Sequence, residues 1–314
     1  MNVEALMDPE IAEALKSLPM MDGFRFQDLP GIRRTRAEQI PVMQAQLSDR
    51  VQRTDYLVPG AGGPDVAIRV HRPKDATGDL PCVYFMHGGG YVFGTHLMDD
   101  LRFDRWCQEL RCMGVSVEYR LAPETPYPGP LDDCYAGLKW VFGHAAELGI
   151  DPARLGIGGA SAGGGLAAGL ALLTRDRGEF ALAFQLLIYP MIDDRRTTES
   201  SAWEVPIWSP RSNEAGWQAY LGPLFGGEPP AYAVASRATA LSGLPPAYVM
   251  VGALDGFLDE DVDYAMRLTR ASVPVELHVY PGGPHGFDGL LPGTALARRA
   301  RLDIEQWLAR TFAK

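Results

Sequence analysis

The sequence predicts an α/β fold: one mostly parallel sheet of eight strands, covered by helices on both faces. Two observations carry this. Short apolar runs alternate with helix-length runs through the later two-thirds of the chain. The run Pro81-Cys82-Val83-Tyr84-Phe85-Met86 is also continuously apolar, as a strand covered on both faces must be. The 314 residues suffice for a single large domain of this kind.

Taken in order, Asp8-Pro9 before Glu10-Ile11-Ala12-Glu13-Ala14-Leu15 reads as a capped helix start with proline at its first position. Up to about Arg50 the chain reads as helical or irregular, broken by Pro19, Pro30 and Pro41, with no strand signal. Residues 1–50 are therefore expected to form a helical cap arm, either packing or part of a lid, before a catalytic domain at 51–314. Strands are expected at 55–58, 65–72, 81–86, 115–119, 155–160, 184–188, 247–251 and 275–280. Helical patterns fill 99–111, 131–148, 165–175 and 259–271. From Asp193 to about Glu228 the alternation stops, and Trp203, Trp208 and Trp217 appear among serines and prolines. A cap insertion around 195–225 is expected there, where α/β sheets place ligand-facing loops.

The formal net charge of −10 argues against a nucleic-acid partner. The first 18 residues carry Glu4, Asp8, Glu10 and Glu13 and no long apolar run, so neither a secretion signal nor a membrane span is expected. Cys82, Cys107, Cys112 and Cys134 form no C-x-x-C and no metal-ligand pattern with histidine. Free thiols in a reducing, cytoplasmic compartment follow, with no metal and no cofactor.

The chemistry centres on Gly159-Ala160-Ser161-Ala162-Gly163, which ends an apolar run and opens a small-residue helical one. A serine at a sharp strand-to-helix turn needs neighbours without bulk, and its hydroxyl is then presented where free helix N–H groups favour negative charge. By itself the pattern is as compatible with an ordinary glycine-rich turn. A serine nucleophile needs a base. Of six histidines, His71 and His278 fall inside strands, His144 reads as a surface residue and His96 is undetermined. His285 follows the last strand in Pro281-Gly282-Gly283-Pro284-His285-Gly286-Phe287, where the loop can hold it at the carboxyl edge of the sheet. Asp255 is the first acid after the strand at 247–251, while Asp259 and Glu260 are better placed as the start of the next helix. The order Ser161, Asp255, His285 is that of the α/β-hydrolases. His87-Gly88-Gly89-Gly90 supplies backbone donors for an oxyanion: Gly88 and Gly89, with the N–H of Ala162. His87 itself is expected to anchor the loop.

These motifs resemble the hormone-sensitive-lipase-like esterases, the bacterial family IV group of α/β-hydrolases. The match runs in order through His87-Gly88-Gly89-Gly90-Tyr91, Tyr119-Arg120-Leu121-Ala122-Pro123-Glu124, Gly159-Ala160-Ser161-Ala162-Gly163-Gly164, Tyr189-Pro190-Met191-Ile192-Asp193-Asp194-Arg195 and His285-Gly286-Phe287. The resemblance covers about residue 51 to the carboxyl terminus. It implies Ser161, Asp255 and His285 as a catalytic triad, and a cap made of the arm and the insertion. Two positions depart from the family pattern: Ala160, usually Asp or Thr, and Gly256, usually Pro. The expected reaction is hydrolysis of short- to medium-chain acyl esters through an acyl-enzyme, with a small-molecule ester as the partner. Tyr91, Tyr189, Trp203 and Trp208 are the expected pocket residues. Hydrolysis should fall below about pH 6.5, where an unperturbed histidine is protonated. Amide, arylformamide and thioester hydrolysis use the same triad, and an inactive ligand-binding scaffold is the rival of another class. The strand at 275–280, if it lies at the sheet edge, offers a surface for a homodimer.

Overall fold

The computed structural model describes residues 3–17 and 26–313. They form one eight-stranded sheet in the order β1-β2-β4-β3-β5-β6-β7-β8. The strands are β1 (Val51–Val58), β2 (Val66–Pro73), β3 (Leu80–Met86), β4 (Met113–Glu118), β5 (Ile150–Ala160), β6 (Gln185–Ile188), β7 (Ala247–Leu254) and β8 (Val275–Pro284). β2 runs antiparallel to both β1 and β4, and every other pair is parallel. The predicted count and the mostly parallel character match, while β1, β5, β7 and β8 run longer than the sequence pattern suggested.

The helices are α1 (Val3–Leu6), α2 (Pro9–Leu15), α3 (Leu29–Gln44), α4 (Asp100–Leu110), α5 (Gly129–Gly143), α6 (Ala145–Leu148), α7 (Ala162–Arg177), α8 (Pro210–Leu221), α9 (Leu258–Arg270), α10 (Phe287–Leu290) and α11 (Ala295–Phe312). Side-chain alternation splits the wholly buried β3 between two cores. Cys82, Tyr84 and Met86 join α5, α7 and α9 on one face, and Val83 and Phe85 join α4 and α11 on the other. β6, only four residues long, has no exposed side chain.

The cap at Asp8 forms as read: its carboxylate accepts the Glu10 and Ile11 N–H groups at 2.9 and 3.1 Å. Two expectations need correction. Pro41 does not break α3, and Pro30 occupies the first turn, where no N–H is needed. Pro41 stands near the helix end, so little is lost, and the last turn is held by the Ala45 N–H to Pro41 O bond of 3.0 Å. Pro19 lies outside the described residues. The single helix expected at 131–148 is two, because the backbone leaves helical geometry at His144, whose Nδ1 donates to Trp140 O at 2.8 Å.

α2 packs Ile11 into the α11-side core and ties the Asp8 N–H to Gly282 O at 3.2 Å. Parallel β3, β5, β7 and β8 bring their carboxyl ends to one edge of the sheet, and all the predicted chemistry gathers there.

Candidate active site

Ser161 joins β5 to α7 at φ 56° and ψ −120°, a conformation that costs energy for any residue with a Cβ. The surrounding backbone enforces it. The Ser161 N–H donates to Ile188 O at 2.9 Å, and its carbonyl accepts from Gly165 at 3.0 Å and Met191 at 2.9 Å. α7 can come this close to β3 because residue 163 has no side chain: a methyl there would sit 2.0 Å from Met86 O.

His285 leaves β8 and places its Nε2 2.9 Å from Ser161 Oγ. Its Nδ1 lies 2.7 Å from Asp255 Oδ2, just past β7. A carboxylate only accepts, so Nδ1 carries the proton and Nε2 is free to accept from the serine hydroxyl. The other Asp255 oxygen accepts the Phe257 N–H at 3.0 Å, which fixes the carboxylate plane. Asp255 is 1% exposed, His285 5% and Ser161 7%, so the three meet in an almost closed space. The imidazole is framed by the rings of Tyr189, Phe257 and Trp208, with centroids at 4.8, 5.0 and 6.4 Å.

The glycine loop after β3 lies against this serine: a methyl on Gly88 would come within 3.4 Å of Ser161 Cβ. Val92 and Phe93 both donate to Gly89 O at 3.0 Å, closing a tight turn. Gly90 takes φ 58°, and a Cβ there would strike the Trp208 ring at 2.2 Å. Ala162 opens α7, where first-turn N–H groups have no partner within the helix. His87 is tied to the loop and to Tyr119. Its Nδ1 donates to Gly88 O at 2.8 Å, its ring stacks on Tyr119 at 4.2 Å, and the Tyr119 hydroxyl donates to His87 O at 2.7 Å. Burial lowers its pKa, so the ring is held neutral.

Of the four expected pocket residues, Trp208 and Tyr189 face the His285 ring. Tyr189 has positive φ (35°), and its hydroxyl donates to buried Asp288 at 2.6 Å. Tyr91 is instead fully buried beneath the loop, stacked on Tyr220 at 4.0 Å, with its hydroxyl donated to Met191 O. Its large ring is spent on the core. Trp203 is half-buried beside the turn at Ser200–Ala202, and Trp217 is wholly buried against Tyr91. Sequence reading missed Phe257 and Phe93, the latter edge-on to Trp208 at 6.3 Å. It also missed Asp261 on α9, wholly buried with neither carboxylate oxygen partnered among the described residues. Burial, with Glu260 and Asp255 nearby, holds the Asp261 carboxyl well above the usual range. Among the described residues no His, Cys, Asp and Glu cluster is arranged to hold a metal, and no helix is long and apolar enough to cross a membrane.

A protein-family model described as alpha/beta hydrolase fold matches residues 83–289. Esterase LipI of Mycobacterium tuberculosis is 32% identical over 287 residues, 90% of this chain and 88% of that protein. Carboxylesterase NlhH of the same organism is 34% identical over 285 residues, again 90% and 88% of the two chains. A solved structure titled bacterial heroin esterase superposes with a TM-score of 0.94 at 42% identity, covering 99% of each chain. With that fold, those relatives and the convergence of Ser161, Asp255 and His285 at one sheet edge, this chain belongs to the hormone-sensitive-lipase-like, bacterial family IV group of α/β-hydrolases and is a carboxylic ester hydrolase.

Proposed function

We propose that the protein hydrolyses short- to medium-chain acyl esters through a Ser161–His285–Asp255 triad and an acyl-enzyme. The observation that carries this is the unbroken hydrogen-bond chain from Ser161 Oγ through both His285 nitrogens to Asp255, on a serine in strained geometry. His285 takes the serine proton as Ser161 attacks the ester carbonyl, and then gives it to the leaving alcohol. Water repeats the cycle on the acyl-enzyme. Asp255 holds the tautomer and stabilises the imidazolium. The N–H groups of Gly88, Gly89 and Ala162 receive the oxyanion, each donor being worth about 3 kcal/mol in such sites.

Acyl length is limited by enclosure: the 7% exposure of Ser161 and the Trp208 ring beside His285 favour small acyl groups. The four buried, unpaired cysteines support a reducing, cytoplasmic setting. The outer edge of β8, where Val279 is exposed, is the surface we assign to pairing with a second copy, and the mass in solution checks it.

An acyl-length series on nitrophenyl esters, with matched amide and thioester substrates and Ser161→Ala beside it, tests the reading. Turnover should peak at short acyl chains on esters, and Ser161→Ala should lower kcat by at least about 10⁴-fold. Near-wild-type turnover in that variant would overturn the mechanism, and amide turnover exceeding ester turnover would reassign the bond.

A further inference from the structure

The arm helix α3 reaches the glycine loop through one side chain. Arg33 Nε donates to Val92 O at 2.8 Å, and one terminal nitrogen donates to Ala122 O at 2.9 Å. Both terminal nitrogens also donate to Glu124 at 2.8 Å. The two carbonyls belong to residues bonded to the glycine loop. Val92 closes the turn on Gly89 O, and the Ala122 N–H donates to Tyr91 O at 2.9 Å. One guanidinium therefore joins the loop after β3 to the segment after β4. One turn along the same helix, Arg36 lies over the Phe93 ring at 6.0 Å.

The ion pair cannot be the main purpose of this contact. The Glu124 side chain is 62% exposed, and ion pairs so placed contribute little. The carbonyl bonds are the distinctive part, because only a planar fork can bridge two carbonyls and a carboxylate at once.

We infer that Arg33 is a positioning residue for the oxyanion loop: from the arm, it holds the turn carrying Gly88 and Gly89 in the geometry that receives the developing negative charge. This rests on the reading of that loop as the oxyanion site. Arg33 touches no reacting atom and acts through Val92 and Ala122. Displacing the turn weakens binding of the tetrahedral oxygen more than binding of the planar ester, so the loss falls on kcat.

The test uses the full chain with Arg33→Ala, Arg33→Lys, Glu124→Gln and Ser161→Ala, a short nitrophenyl ester, and an alkylboronic acid that forms a tetrahedral serine adduct. Arg33→Ala should lose about tenfold in kcat and in boronate affinity, with KM changed by less than about twofold. An open groove of about 510 Å³ beside Arg33 leaves room for a small cation. Millimolar guanidinium should therefore restore Arg33→Ala without stimulating the wild type. Glu124→Gln should stay within about twofold of wild type. Unchanged kcat in Arg33→Ala, a loss confined to KM, absence of guanidinium rescue, or an equal loss in Glu124→Gln would each overturn the assignment. Should Arg33→Ala not fold, Arg33→Lys decides: reduced kcat and boronate affinity support the clamp, and wild-type values sink it. Full activity in Ser161→Ala would instead remove the esterase mechanism itself. An inactive Ser161→Ala beside an unaltered Arg33→Ala would remove only the clamp.

Discussion

The serine turn and the glycine loop lie side by side at the ends of adjacent strands β5 and β3, yet they are held in different ways. The turn at Ser161 is fixed by its own backbone and that of its immediate neighbours, through Ile188, Gly165 and Met191. The loop at Gly88–Tyr91 has backbone bonds of its own, from Val92 and Phe93 to Gly89 O and from Ala122 to Tyr91 O, but side chains from elsewhere also bond its two ends, Tyr119 at His87 O and Arg33 at Val92 O. Ser161, the nucleophile of the proposed mechanism, is thus carried on a turn held by main-chain bonds. Gly88 and Gly89, the proposed oxyanion donors, sit in a loop that side chains from α3 and from the segment after β4 also help to hold. The contrast teaches that damage to the first should be all-or-none, and damage to the second graded.

The largest expected effect comes where the two regions touch. Gly163→Ala would press a methyl against Met86 O and His87 O, at 2.0 and 2.5 Å, and no side chain is available to yield. We expect a loss of about 3 kcal/mol or more in stability, with kcat down by about 100-fold or more, read from thermal melts and steady-state kinetics. Wild-type behaviour would break the contrast. A middle effect is expected from Tyr119→Phe, which removes the hydroxyl donated to His87 O. A buried carbonyl left without its partner costs about 1–2 kcal/mol, and kcat should fall about threefold to tenfold with the loop's displacement. A loss as large as that of Gly163→Ala would show that the loop is as rigid as the turn.

The smallest effect serves as a control that separates stability from geometry. The folded pKa of Asp261 is raised above its unfolded value by burial, with Glu260 and Asp255 adding to the shift. The folded state therefore favours the protonated acid. That contribution is fully present below the unfolded value near 3.9 and is lost as pH rises toward the folded value. Asp261→Asn cannot ionise, so its melting temperature should gain on that of the wild type between about pH 4 and pH 8 by a few degrees, with kcat unchanged. Parallel melting curves across that range would remove the buried-acid argument.

Much of this was legible in the sequence for a physical reason. Ser161, Asp255 and His285 each follow a strand within a few residues, so an apolar run followed by a glycine-flanked polar residue locates them without any long-range contact. The central strands were legible for the same reason, being buried and apolar, while β1 and β8 at the edges are only partly buried and were read short. The support of the loop was not. Arg33 stands in a stretch with no strand period, among several arginines, and its partner Val92 is 59 residues away. The tryptophans were ambiguous because the segment holding them has no period to say which way a ring points. Trp208 proved to face His285, while Trp217 and Tyr91 went to the core. Pro41 misled because a proline near the end of a helix removes only one bond.

Strand β6 carries none of Ser161, Asp255 and His285, yet it sets their gauge. Serine and acid hang from β5 and β7, two strand spacings apart, about 10 Å, and β6 is the spacer between them. At its end the Ile188 carbonyl takes the Ser161 N–H at 2.9 Å, while the next residue, Tyr189, donates its own N–H to Met250 O on β7. A single peptide unit therefore calibrates the width of the opening that one imidazole ring spans.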